Sequence, residues 1–474
     1  MSSTLSALPP PSAAARDKAL RLLERALGPS KVLTDPDGCA GFVRDESEAE
    51  GALPFAVVRA ESGADILAAL AVAREAEVPI TPRAAGTGRT GGAVPRSGGI
   101  VLSTLGMDQI KEIDRREMLA VVEPGVVLGA LHAAVEAEGL FYPPDPNSVE
   151  SCALGGNVAE NAGGPRAFKY GVTREYVLGV EAFLIGGQRV TPGRRTVKGV
   201  TGYDVTALLV GSEGTLAVFG DITLRLVPKP PSVMTLLALF ADVRAASVAV
   251  AAMTGAGLVP RCIELLDSHT LAAMRAAGND FPEAAGALLL IEVDGEPGET
   301  EAQAERVGNA CDGALEVLVA QDAGQREKLW SARRDMSRAV RRLTRFKLSE
   351  DVVVPRQQIP ELLDRVAQSC EALRVRHLTY GHAGDGNLHV NFLWDHEHEA
   401  PAVERAIEQL FRDVVALRGT LSGEHGIGVL KAPYLHLEQS SELIQLQRDI
   451  KRVFDPGGLL NPGKIFPGPG HRAC

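Results

Sequence analysis

Three histidines and a glutamate, clustered late in the chain, are the side chains best suited to do chemistry. The stretch RHLTYGHAGDGNLHVNF (376–392) carries His382 and His389 on either side of a glycine-rich segment, which reads as a β-hairpin turning over 383–387. The two imidazoles then face each other across the turn, and because strand side chains alternate, Asn391 shares a face with His389. Downstream, SGEHGIG (422–428) presents Glu424 and His425 in a loop bracketed by glycines. Two histidines and a glutamate make an open three-ligand set suited to zinc, with manganese or iron as alternatives. His425 adds a third imidazole beside them. His396 and His398, in DHEHEA, lie among solvent-type acids ahead of Pro401 and read as an exposed loop.

The helix LWSARRDMSRAVRRLTRF (329–346) offers an anchor for a carboxylate. At about 100° per residue, Arg334, Arg338, Arg341, Arg342 and Arg345 form a basic stripe opposite Leu329, Ala332, Met336, Ala339 and Leu343. Arg333 falls outside that stripe, beside Leu329 and Val340. Its border position suits an inward guanidinium making a two-point carboxylate contact.

These groups must be held by a larger framework, and the first half of the chain is built for a flat, anionic partner. In PRAAGTGRTGGAVP (82–95), Gly86, Gly88 and Gly91 have dinucleotide-fingerprint spacing, yet Pro95, Gly98 and Gly99 prevent the helix a nicotinamide site requires. GIVLST (99–104) already reads as a strand. What remains is a loop, extended by Gly92, whose backbone N–H groups converge on an anion, with Arg83, Thr87 and Thr90 as further donors. YPPDPNS (142–148) brings Pro144 and Ser148. CALGGNVAENAGGPRAFKYGVT (152–173) bares backbone at Gly155, Gly156, Gly163 and Gly164, offers the amides of Asn157 and Asn161 to a heterocycle, and closes with Gly171 and Thr173. GYDVTALLVGSEGTLAV (202–218) adds Glu213 and Gly214.

Prolines 228, 230 and 231 form a stiff exit, so a domain boundary is expected near Pro230. Beyond it, strand VMTLLALF, a helix, strand LVPRCIELL, a helix, strand GALLLIEVDG, a helix and strand ALEVLVAQD give two successive β-α-β units, the pattern of a ferredoxin-like layer. A helix over 325–344 and strand FKLSEDVVVP follow, and the chain ends in the loop LLNPGKIFPGPG.

With 474 residues, 45% hydrophobic and 23% charged, the chain reads as two or three globular domains. A net charge of −11 and a pI near 5.5 argue against nucleic acid as a partner. The N-terminus lacks a basic start followed by an apolar core, and the weakly polar run AASVAVAAMTGAGLVP is too short for the roughly 20 apolar residues of a membrane span. Six cysteines without a C-x-x-C pair disfavour a zinc ribbon, an iron–sulfur cluster or a disulfide framework and point to the cytoplasm.

These motifs, in this order over residues 45–467, resemble the FAD-binding oxidoreductases of the vanillyl-alcohol oxidase and p-cresol methylhydroxylase superfamily. Within it they are similar to the subgroup of D-lactate dehydrogenases, D-2-hydroxyglutarate dehydrogenases and the glycolate oxidase flavoprotein subunit. The resemblance implies an α+β fold: a two-part FAD-binding domain over 1–229 with a flexible tail at 1–15, a ferredoxin-like substrate-cap domain over 230–420, and a C-terminal helical segment over 421–474 returning to the flavin. It implies that the glycine-loop residues named above, with Asn461 in LNPGKIF, hold FAD. His382, His389 and Glu424 match the metal ligands, and His425 matches the base that takes the substrate hydroxyl proton. Arg333 and Lys347, with Asn391, are the implied substrate contacts.

No histidine precedes His132, which excludes flavin attachment through a histidine in the first glycine loop. SCALGGN lacks the surroundings of a cysteinyl attachment at Cys152, so the FAD is expected to be dissociable. The implied partners are a small 2-hydroxy acid and an electron acceptor, whether quinone, cytochrome or electron-transfer flavoprotein. A homodimer and peripheral contact with a membrane are both compatible with the sequence. The rival readings are an enzyme resembling alkyl-dihydroxyacetone-phosphate synthase and a non-catalytic flavoprotein subunit that relays electrons.

Overall fold

The computed structural model describes residues 9–342 and 344–466. Most of the tail expected at 1–15 lies outside them, as do Leu343 and the side chains of Ala332, Arg334, Arg338 and Ala339 on the helix expected to carry the basic stripe. Two compact units emerge. Among the described residues, one comprises Gly163–Gly171 and Pro230–Gly423, the other residues 9–162, Val172–Lys229 and residues 424–466. One break falls at 229/230, and the glycine-rich segment 163–171 groups with residues 230–423 rather than with the stretches on either side of it.

The unit that contains the N-terminal half holds two main sheets. In the first, β1 (Val32–Leu33), β2 (Ala56–Arg59), β3 (Ile80–Arg83) and β4 (Ile100–Ser103) lie in the order β1-β2-β4-β3, with β2 and β3 both parallel to β4. The β2 to β3 crossover is the helix Gly63–Ala76, opened by Ser62, whose hydroxyl accepts from the Asp65 N–H. A second helix, Ala13–Leu27, begins inside the expected flexible tail because the Ser12 Oγ accepts from the Ala15 N–H at 3.2 Å. Leu23, Ile66, Leu70, Ile80, Ile100 and Leu102 fill the core between these helices and the sheet.

The second sheet is antiparallel: β5 (Ile110–Asp114), β6 (Leu119–Val122), β8 (Val177–Phe183), β9 (Arg189–Val190) and β10 (Val218–Arg225) run in the order β5-β6-β10-β8-β9. A small ribbon pairs β7 (Leu140–Phe141) with β11 (Val227–Pro228).

The other unit is built on one seven-stranded antiparallel sheet. Its first strands are β12 (Ser232–Phe240), β13 (Cys262–Leu266), β14 (Ala287–Gly295) and β15 (Glu316–Val319), ordered β15-β12-β14-β13. That order, with helices Val243–Gly255 and Pro297–Ala310 as crossovers, is the ferredoxin-like arrangement read from the sequence. β16 (Phe346–Val353), β17 (Arg376–His382) and β18 (Asn387–Trp394) extend it beyond β13 as β17-β18-β16. β14 is buried along nearly its whole length, which explains its unbroken apolar run.

Asp242 and Asp267 cap the helices that follow β12 and β13, accepting from the N–H groups of Ala245 and Thr270. The helix before β16 spans Ala323–Arg341, short of the expected 344, because the Thr344 hydroxyl turns to the carbonyls of Phe346 and Trp394. Segment 163–171 joins this unit through the fully buried Asp294. Its carboxylate takes Lys169, the Tyr170 hydroxyl at 2.7 Å and Arg261 at 3.2 Å. No helix among the described residues is long and apolar enough to cross a membrane.

Candidate active site

Within the sheet unit, β17 and β18 form the expected hairpin. Its register pairs His382 with Asn387 and His389 with Tyr380, so the two histidines are diagonal neighbours on one face rather than directly opposed. Their rings meet edge to face with centroids 5.3 Å apart, and both are buried. Asn391, fully buried on the same face, donates from Nδ2 to the His389 carbonyl at 2.8 Å. The Tyr380 hydroxyl lies 3.4 Å from Asn391 Oδ1 and 3.5 Å from Lys347 Nζ.

Two carboxylates that the sequence reading missed organise this cluster. Glu264, in the middle of β13 and wholly buried, lies 2.5 Å from His382 Nδ1 through Oε1. Its Oε2 accepts from Arg333 Nε at 2.8 Å. Arg333 is itself only 5% exposed, and its guanidinium sits 5.0 Å above the Tyr380 ring. The expectation that Arg333 points inward therefore holds, but one edge of its fork is already engaged. Burial alone would push the Glu264 carboxyl up, yet the charges and hydrogen bonds of His382 and Arg333 outweigh it and hold the group below its usual range.

The second carboxylate, Asp351 on β16, is 3.9 Å from His389 Nδ1. It also accepts from Asn387 Nδ2 at 2.5 Å, from the Ser422 hydroxyl at 3.1 Å and from the Gly423 N–H at 2.8 Å. It thereby fixes the chain up to the residue before Glu424. His396 and His398 are exposed, as the sequence suggests.

In the other unit, Glu424 and His425 are largely buried, with Oε1 and Nε2 3.8 Å apart. The loop that carries them is pinned by residues the sequence reading gave to the cofactor. The Thr90 hydroxyl donates to the His425 carbonyl, while the Glu213 carboxylate accepts from the N–H groups of Ile427 at 2.8 Å and Gly428 at 2.7 Å. Gly426 is required between them: φ is +76°, and a Cβ there would sit 2.3 Å from Glu160 Oε2. Burial, with Glu213 and Asp45 nearby, drives the Glu160 carboxyl well above the ordinary range. Lys464, equally buried, donates to the Val94 carbonyl and has its amine pushed down to about 7.

The expected cofactor loops converge in this same unit. Asn461 Nδ2 bonds the carbonyls of Gly92 and Glu213, and Ile80 bridges Leu460. Many of the polar side chains fasten these loops: Asn161 Oδ1 accepts from the Arg174 N–H, the Thr173 hydroxyl donates to the Ala162 carbonyl, and His132 bonds the Pro144 carbonyl. Asn157 lies 3.5 Å from the Cys152 sulfur, inside a buried patch.

What is left for a ligand is bare backbone and a cation. A Cβ at Gly88 or Gly156 would meet only one atom each, at 3.7 Å and 3.6 Å. Arg83 Nη1 is buried without a hydrogen-bond partner among the described residues. This donor set fits a flat group with a pyrophosphate, as FAD has. Gly163, Gly164 and Gly171 lie in the sheet unit instead.

A glycine-lined, cation-bearing cradle and an α+β unit with inward imidazoles fit a flavin-dependent oxidoreductase, the class to which the family models assign the chain. Residues 54–192 match the family model described as FAD binding domain, and residues 229–465 match that described as FAD linked oxidases, C-terminal domain. The chain belongs to the FAD-linked oxidases.

The glycolate oxidase subunit GlcD of Bacillus subtilis is 39% identical over 444 residues, covering 93% of this chain and 94% of its own. The D-lactate dehydrogenase of Anaerostipes hadrus is 33% identical over 461 residues, covering 93% and 96%. The D-2-hydroxyglutarate dehydrogenase of Stutzerimonas stutzeri is 30% identical over 460 residues, covering 94% and 98%. Among solved structures, p-cresol methylhydroxylase with substrate bound superposes with a TM-score of 0.83 at 16% identity, over 98% of this chain and 99% of that one. This last likeness establishes the fold.

Proposed function

We propose that this chain oxidises a small 2-hydroxy acid of the D series to its 2-oxo acid, passing two electrons to a dissociable FAD. The observation that carries the reading is that a single carboxylate, Glu264, touches both His382 and Arg333. In a 2-hydroxy acid the hydroxyl and the carboxylate sit on adjacent carbons. The group that activates the first must therefore be a near neighbour of the group that grips the second.

His382 and His389, with Glu424, would hold a divalent metal, zinc by their chemistry, and the loops around Gly88, Gly156 and Asn461 would hold the flavin. When bound, FAD supplies the two-electron acceptor and the metal makes the substrate hydroxyl acidic. Arg333 and Lys347 neutralise the carboxylate, and the buried Asn391 and Tyr380 orient it by hydrogen bonding. The His425 imidazole takes the hydroxyl proton, and Glu213 and Thr90 keep its loop in place while it does so. Relatives named as glycolate oxidase subunits support a place in a larger electron-transfer assembly.

An anaerobic screen of paired D- and L-2-hydroxy acids tests the reading by flavin bleaching. The expected result is bleaching by D-lactate, glycolate or D-2-hydroxyglutarate, suppression by a chelator, restoration by Zn2+ or Mn2+, and release of the flavin by acid. Full flavin reduction by substrate in protein shown by elemental analysis to hold no metal would overturn the metal assignment. Flavin retained on acid-precipitated protein would overturn the dissociable cofactor.

A further inference from the structure

We infer that Glu264 is a positioning residue shared by two binding functions, its Oε1 setting the imidazole of His382 and its Oε2 setting the guanidinium of Arg333. The inference rests on the reading above of His382 as a metal ligand and Arg333 as a carboxylate anchor.

A carboxylate at the centre of the apolar strand Cys262–Leu266, with no exposed surface, is costly to bury unless both oxygens meet donors. Here each oxygen serves a different client. Oε1, 2.5 Å from Nδ1, fixes the tautomer and rotation of the His382 ring and leaves Nε2 as the ligating nitrogen. Oε2 takes Arg333 Nε, while Nη2, 2.7 Å from the same oxygen, is not aligned to any acceptor among the described residues. A guanidinium anchored to Glu264 through Nε is held in a fixed orientation toward a second anion, which the carboxylate of the substrate would provide. Losing Glu264 therefore loosens two grips at once, whereas losing either client loosens one.

The test uses FAD-loaded protein and two separate readouts. Zn2+ affinity is measured by competition with a chromogenic chelator. Anion affinity is measured in chelator-stripped protein by titrating propionate, a monocarboxylate without the 2-hydroxyl, against the flavin absorbance, so that metal loss cannot imitate anion loss. Glu264→Gln should weaken Zn2+ by about 10–100-fold, the usual cost of removing such a supporting carboxylate. It should also weaken propionate by roughly 10-fold, the worth of one charge-assisted hydrogen bond. His382→Asn should lose Zn2+ affinity alone and Arg333→Gln propionate affinity alone. If Glu264→Gln does not fold, Glu264→Asp keeps the buried charge but withdraws it from both partners, and should show both losses in smaller measure.

A folded Glu264 variant with wild-type affinity for either probe would overturn the inference alone. Wild-type protein that takes up no Zn2+ would overturn the metal reading and this inference with it.

Discussion

Thr90 and His425 lie 335 positions apart in the sequence and are joined by one hydrogen bond, from the Thr90 hydroxyl to the His425 carbonyl at 2.9 Å. The contact is returned along the backbone, since the Thr90 carbonyl accepts from the Val429 N–H at 2.8 Å. A glycine loop from the start of the chain thus holds the imidazole proposed as the base. Thr90→Val should keep the FAD content yet slow flavin reduction by about 2–10-fold, the worth of one net hydrogen bond. His425→Asn should slow it by about 10²–10⁴-fold, the range of general base catalysis. Stopped-flow reduction under anaerobic conditions checks both, and an unchanged rate in Thr90→Val would remove its positioning role.

Gly426→Ala should be costly for two separable reasons. Its left-handed backbone carries a penalty on the order of 1 kcal/mol or more for any side chain, and the new Cβ would lie 2.3 Å from Glu160 Oε2. Adding Glu160→Ala to the same chain should recover the steric part and leave the backbone part. Thermal melts of the single and double variants report this, and a double variant no more stable than Gly426→Ala would count against the clash.

Much of this architecture is legible in the sequence because it rests on local signals. The failed fingerprint at 82–95, the ferredoxin-like order and the 376–392 hairpin follow from turn residues and period-two patterning. What stays hidden is long-range. CIELLD does show an acid inside an apolar strand, but nothing local says that Glu264 reaches His382, 118 positions away. Likewise the glycine-loop polar residues read as ligand donors, whereas Glu213 spends its carboxylate on two backbone amides. The placement of 163–171 depends on Asp294, far along the chain, and no neighbouring residue announces it.

Lys464 should leave a signature in stability against pH. Burial lowers its folded pKa to about 7 from an ordinary 10.5. Between those values the unfolded chain binds a proton that the folded chain does not, so stability should rise with pH across the window from about 7 to 10.5. Lys464→Met removes the term. The difference in Tm between variant and wild type should therefore be most in favour of the variant near pH 7 and shrink towards pH 10. A difference that is flat with pH would show that the amine is not held neutral.

Asp294→Ala should free segment 163–171 from the sheet unit. It removes the acceptor shared by Lys169, Tyr170 and Arg261 and leaves two cations without it, a loss of about 3–5 kcal/mol for a buried pair. Hydrogen exchange of the 163–171 amides should accelerate well beyond that of β12 or β18. Equal protection in variant and wild type would mean that other contacts hold the segment.

The chain passes from one compact unit to the other at 162/163, 171/172, 229/230 and 423/424. Neither unit is a continuous stretch of gene, so a chimera made by one fusion at Pro230 would inherit a hybrid sheet unit whose Asp294 comes from one parent and whose Lys169 and Tyr170 come from the other. Swapping substrate preference between relatives by recombination therefore calls for inserts with matched ends at all four crossings, and relatives that diverge at position 294 should diverge at 169 and 170 in step.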